Sequence, residues 1–176
     1  MVLILIPRLI WSRFGVYLLN TGQRRMKILF VCMGNICRSP TVEGVFRDLL
    51  QQHNALADVV VDSAGTHAYH VGEAPDSRST AAAKRRGIAL GGLRARAVSD
   101  ADFKYFDLIL AMDQGNLDML LRASPPEHHH KLRLFLDNVR PDTELPDPYY
   151  GDEAGFELVL DLAEQGSEYW LSALLK

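Results

Sequence analysis

One stretch constrains the fold of this chain most: Lys27-Ile-Leu-Phe-Val-Cys-Met-Gly-Asn-Ile-Cys-Arg-Ser-Pro-Thr41. Residues 28–31 are apolar without a break and predict a buried strand. Cys32 closes it. Gly34 and Asn35 tolerate a positive φ, so the chain can bend tightly there. Ser39 suits a helix N-cap, and Pro40 suits the first helical position, where its missing N–H removes nothing. Strand, tight loop and helix N-terminus thus follow in immediate succession. Backbone N–H groups of such a loop can turn inward beside the positive helix end and cradle an oxyanion. Arg38 adds a planar fork able to grip two oxygens of one phosphate. A positive field of this kind favours thiolate over thiol. The stretch therefore predicts a phosphate held against the Cys32 sulfur.

That is the chemistry of phosphate-monoester hydrolysis through a phosphocysteine. The string Val-Cys-Met-Gly-Asn-Ile-Cys-Arg-Ser-Pro contains the Cys-x5-Arg-Ser of cysteine phosphatases and is much narrower. Together with Val61-Asp-Ser-Ala-Gly-Thr66, Ala111-Met-Asp113 and Asp147-Pro-Tyr-Tyr-Gly151, in that order, it resembles the low-molecular-weight protein tyrosine phosphatases. The resemblance runs from about Met26 to the C-terminus. It implies a protein-tyrosine phosphatase with acid phosphatase activity, no metal and no organic cofactor.

The chain has 176 residues, which suits one domain. At 48% apolar and 23% charged residues it can bury a core, and a net charge of −3 offers no general surface for nucleic acid. Its two cysteines sit in one loop, which excludes a secreted disulfide framework and fits a reducing cytoplasm. Residues 1–25 read as an N-terminal extension outside the domain, a loose arm or an upstream start, with residues 26–176 as the phosphatase domain. Pro7, Arg8 and Arg13 interrupt the apolar run Met1-Val-Leu-Ile-Leu-Ile-Pro7, which falls short of the ~20 residues that span a bilayer. The alternative is an interfacial helix with Leu3, Ile6, Ile10, Phe14 and Tyr17 on one face.

Beyond the loop, residues 40–52 predict a helix and 58–62 a second strand, followed by a loop over 63–75. Helices are expected at 78–86 and 114–122, the latter capped by Asp113, with a short turn of helix after Ser99. Residues 106–112 and 131–136 read as strands. Residues 153–174 read as the last helix, with an irregularity at Gly166. Alternating strands and helices argue for a parallel sheet covered on both faces. The resemblance implies a three-layer α/β/α architecture, a four-stranded sheet in the order 2-1-3-4, flavodoxin-like. Cys32 then falls at a strand's carboxyl end, where such sheets bind ligands.

Cys32 is the expected nucleophile and Arg38 the group that binds the equatorial oxygens. Ser39 can donate its hydroxyl to the sulfur. Met33, Gly34, Asn35, Ile36 and Cys37 complete the loop. The resemblance locks Asn35 through Ser63 and assigns the general acid to Asp147, one of 22 acidic residues. One carboxyl group can protonate the leaving oxygen and then activate water. Tyr69, Tyr149 and Tyr150 are expected to wall the mouth for a flat phenyl ring. By analogy, Tyr149 and Tyr150 are also targets for a partner kinase. Cys37 is a candidate resolving thiol for oxidised Cys32.

Three adjacent imidazoles, His128-His-His130, lack the spaced partners of a zinc site and read as a solvated loop. Lys84, Arg85, Arg86, Arg94 and Arg96 read as a solvated basic face. Many relatives carry a histidine where this chain has Leu93, paired with an aspartate matching Asp113. Its loss weakens the expectation that Asp113 braces the loop. Two rivals share the fold. An arsenate reductase needs relay thiols that this chain lacks, and a protein-arginine phosphatase carries threonine in place of Ile36. The substrate implied is a phosphotyrosine protein, with a bacterial tyrosine kinase as one candidate.

Overall fold

Strand β1 (Met26–Cys32) is the axis of the molecule, and every residue in it from Ile28 onward is buried. In the computed structural model, which describes residues 25–55 and 59–174, it pairs in parallel on both edges. On one side lies β2 (Val59–Gly65), and on the other β3 (Leu108–Ala111), which in turn carries β4 (Leu132–Leu134). The order β2-β1-β3-β4 is the expected one. Side chains alternate across a strand. Ile28, Phe30 and Cys32 therefore face one core with Val42, Phe46, Val159 and Ala163. Leu29 and Val31 face a second core with Phe103, Ile109 and Leu120.

Helices α1 (Arg38–Gln52), α2 (Ser77–Arg85) and α5 (Glu153–Leu174) cover the first face. Helices α3 (Asp100–Tyr105) and α4 (Gln114–Ala123) cover the second. Helix α3 opens with a capping box between Ser99 and Asp102, and the Asp113 carboxylate caps α4 by accepting the Asn116 N–H. Phe30 is gripped between Phe46 and the edge of Phe135, with centroids 5.5 and 5.9 Å away. Helix α5 runs unbroken through Gly166, so no irregularity occurs there. A Cβ at Gly166 would lie 2.4 Å from the Phe135 ring, which is why the position is glycine.

Several boundaries differ from expectation. Helix α1 begins at Arg38 with Cys37 at its N-cap, so Ser39 is not the cap. The Ser39 hydroxyl is engaged at the Cys32 sulfur instead. Strand β2 continues to Gly65 because its pairing with β1 persists to Cys32, which places Ser63 in the sheet rather than in a loop. Strand β4 keeps only three residues, the length over which β3 offers partners. His128, His129 and His130 lie on a 3-10 turn, Pro126–Lys131. Asp58 and the extension up to residue 24 lie outside the described residues. Among the described residues, no helix is long and apolar enough to cross a membrane.

Candidate active site

The loop from Cys32 to Arg38 is shaped by where its carbonyl oxygens go. Cys32 O accepts from Thr66 N at 2.8 Å, Met33 O from His67 N at 3.0 Å and Ile36 O from Asp76 N at 2.8 Å. Cys37 O accepts from the Thr41 hydroxyl at 2.7 Å. With the carbonyls drawn outward, the opposite ends of these peptides turn toward the cavity. Asn35 N–H reaches the Cys32 sulfur at 3.3 Å. Asn35 sits at φ 57°, the bend its position predicted. Gly65 is required beneath the loop, because a Cβ there would meet Met33 O at 2.7 Å.

The cavity above the sulfur is walled by Cys32, Met33, Gly34, Ile36, Cys37 and Arg38 on the loop side. Tyr69, His70, Asp147, Tyr149 and Tyr150 close the opposite side. Asn35, Ser39 and Ser63 stand behind the loop rather than on the wall. The Ser39 hydroxyl lies 3.0 Å from the Cys32 sulfur, and Asn35 Nδ2 donates to Ser39 Oγ at 3.0 Å and Ser63 Oγ at 2.9 Å. At the mouth, Tyr150 is almost wholly exposed, as are large parts of Tyr69 and Met33, and Tyr69 stacks on His67.

Arg38 is only 3% exposed, and both of its terminal nitrogens are paired. Nη1 meets Asp113 Oδ2 at 2.5 Å and Leu145 O at 3.3 Å, and Nη2 meets Asp147 Oδ2 at 2.6 Å. Burial pulls this guanidinium down, but Cys32, Asp147 and Asp113 outweigh it and hold it above its ordinary value. Asp147 also accepts from Tyr149 N at 3.0 Å, and its side chain is 45% exposed at the mouth. Asp113 thus braces Arg38 and caps α4 with its two oxygens. This corrects the expectation drawn from Leu93, since the aspartate binds the guanidinium directly and needs no histidine.

Other partners had little sequence signal. Glu43 on α1 is buried, accepts from Ser63 Oγ at 2.7 Å and pairs with Arg47 at 2.8 Å. His70, at the cavity wall, pairs with Glu73. Arg85 and Arg86 are held by Glu153, Glu157, Asp161 and Glu164 of α5, and Arg96 by Asp62 and Asp102. Those three arginines therefore form ion pairs within the protein and are not a free basic face.

A thiol under inward-facing amides, with a buried guanidinium beside it on a doubly wound sheet, defines the class: a phosphatase that works through cysteine. A family model described as low molecular weight phosphotyrosine protein phosphatase matches residues 27–176. The human low molecular weight phosphotyrosine protein phosphatase is 42% identical over 140 residues, 78% of this chain and 88% of its own. The crystal structure of a protein tyrosine phosphatase from Entamoeba histolytica superposes with a TM-score of 0.82 at 41% identity, covering 85% of this chain and 97% of that one. The structure of YfkJ from Bacillus subtilis gives a TM-score of 0.82 at 36% identity, over 88% and 97%. The chain belongs to the low molecular weight phosphotyrosine protein phosphatase family. It is a cysteine-dependent protein-tyrosine phosphatase whose substrates are phosphotyrosine proteins.

Proposed function

We propose that the phosphatase reaction is carried by Cys32, Arg38 and Asp147 in two steps, within a domain formed by residues 26–176. The Cys32 thiolate attacks phosphorus while the equatorial oxygens lie on the loop amides and Arg38. The P–O bond to the tyrosyl oxygen breaks, and Asp147 supplies the proton that oxygen takes up. Water then attacks the phosphocysteine, Asp147 removes its proton, and the S–P bond breaks. Ser39 donates its hydroxyl to the departing sulfur. The observation that carries this reading is Arg38, which joins the Asp147 carboxylate at 2.6 Å to the wall containing the Cys32 sulfur. A phosphoryl group entering the cradle competes for that guanidinium and leaves Asp147 facing the ester oxygen.

The rim favours an aryl ester. Tyr69, Tyr149, Tyr150 and Met33 present apolar surface at the mouth, on which a phenyl ring packs and a serine side chain gains little. Ile36 leaves no hydroxyl in the loop where arginine phosphatases have threonine, and two cysteines do not make an arsenate relay. A tyrosine kinase bearing its own phosphotyrosine presents the substrate chemistry such a slot accepts. Cys37 serves as resolving thiol: Cys32 sulfenic acid and the Cys37 thiol give a disulfide and water.

The test is a panel of phosphotyrosine, phosphoserine, phosphoarginine and arsenate on wild type and Cys32→Ser. Phosphotyrosine should be hydrolysed preferentially, with turnover abolished in Cys32→Ser. Retention of turnover in that variant, or preference for phosphoarginine, would reject the assignment.

A further inference from the structure

We propose that Glu43 is a positioning residue for the reaction. Its carboxylate anchors a hydrogen-bond relay, through Ser63 and Asn35, that leaves the Ser39 hydroxyl free to donate to the Cys32 sulfur. This rests on the roles given above to Cys32 and Ser39.

The direction of every proton in the relay follows from its ends. Arg96 N is a backbone donor and cannot accept, so the Asn35 atom it meets at 2.9 Å must be the oxygen, Oδ1. Asn35 Nδ2 therefore faces the other way, and its two protons go to Ser39 Oγ and Ser63 Oγ. Ser63 Oγ, already accepting, must send its own proton elsewhere. Glu43 Oε2 takes it at 2.7 Å. Ser39 Oγ, also accepting from Asn35, keeps its proton for an acceptor on its far side. The Cys32 sulfur at 3.0 Å is nearer than Ala64 O at 3.3 Å and, as thiolate, is the stronger acceptor.

Every member of the relay is buried: Asn35 at 2%, Ser39 at 0%, Glu43 at 2% and Ser63 at 4% exposure. No solvent is at hand to replace a lost partner, and a partly satisfied buried network is costly. Arg47 secures the other carboxylate oxygen with Nε and Nη2 at 2.8 Å and ties itself to Val61 O. Burial pushes the Glu43 carboxyl above its ordinary range, with Asp62 adding to the rise, while Ser63 and Arg47 draw it down. An ionisable group kept in such a place is one whose acceptor oxygens are in use. An amide in its place turns a donor toward Ser63 or gives up Arg47, and either disorders the chain of donors behind the sulfur.

The experiment is a mutant cycle on aryl phosphate hydrolysis with Glu43→Gln, Ser39→Ala and the double variant, read by steady-state and rapid-quench kinetics. Loss of one aimed hydrogen bond should lower kcat roughly tenfold. KM should not rise, and trapped phosphoenzyme should increase, because the departing sulfur loses its donor. Glu43→Gln in the Ser39→Ala background should have little further effect, since the relay then has nothing to aim. Ser63→Ala breaks the same link while keeping the carboxylate and its pair with Arg47, and should reproduce the kcat loss. Additive losses in the double variant, or a rise in KM with kcat intact, would overturn the relay. Failure to trap any phosphoenzyme in wild type would instead reject the Cys32 assignment beneath it.

Discussion

Cys37 and Cys32 share a loop and are both buried, but the Cys32 sulfur meets the Ser39 hydroxyl and the Asn35 N–H while Cys37 lies near the Asp76 charge. Cys37 is 5% exposed, and burial, with the nearby Asp76 charge, pushes its thiol up to about 12. Its native value lies above the unfolded one. The neutral thiol therefore adds stability at and below the ordinary cysteine range, and that contribution is lost as pH rises through about 12. Reaction requires thiolate, so brief iodoacetamide treatment at about pH 8 should label Cys32 and spare Cys37. Peptide mass spectrometry reads the outcome, and equal labelling would contradict a Cys37 thiol held neutral at that pH. The same protonation makes disulfide closure onto oxidised Cys32 slow, so recovery from peroxide should quicken as pH rises. Cys32 and Arg38 are legible in the sequence because one loop–helix junction gives them a shared reason to exist. Asp147 is legible only through its motif. Asp113 is legible as a helix cap and as part of a motif, but its bond to Arg38 is not, and Glu43 is not legible at all, because each acts through a partner 20 or 75 residues away.

Elements are read well where a single physical signal sets them and poorly where tertiary pairing does. The apolar run of β1 and the helical period of α5 are visible in the chain. The end of β2 is not, since Ser63-Ala-Gly65 has loop composition and is drawn into the sheet by its register with β1. Helix α1 starts at Arg38, two residues before the Pro40 that the sequence suggests, because Ser39 has the chemistry of a cap but a second, stronger use at the Cys32 sulfur. Gly166 illustrates the same competition in energy. In an isolated helix, alanine would be favoured over glycine by about 1 kcal/mol. Here an added Cβ meets three ring atoms of Phe135, at 2.4, 2.5 and 3.0 Å. That ring is fully buried and set edge-on against Phe30, while the Phe135 carbonyl holds Trp170 Nε1 at 2.8 Å. Overpacking of this kind costs about 1–3 kcal/mol. Gly166→Ala should therefore lose net stability, by up to about 2 kcal/mol in urea denaturation. An unchanged or raised midpoint would mean that the ring yields freely.

The whole molecule divides its stability unevenly around the site. Cys32 and Arg38 belong to β1 and α1, which lie in the larger core. Asp147 lies between β4 and α5, on residues 135–152, which form no helix or strand. Over residues 137–152 most side chains are exposed, and Leu145 is the main anchor, with its N–H on Met112 O at 2.9 Å and its carbonyl on Arg38. The ion pairs joining α2 to α5 do not reinforce this segment, and exposed pairs contribute little in any case. Segments with few buried contacts open at lower free energy than the core. Turnover should therefore fall at lower urea concentration than the helical far-UV signal. The cradle itself should outlast turnover, because the loop amides and Arg38 lie on residues 32–38, outside the 137–152 segment. Inorganic phosphate should still protect Cys32 from alkylation at a urea concentration that has already halved turnover. If activity, phosphate protection and helical signal vanish together, Asp147 is held as firmly as the core, and the segment opens only with the whole fold.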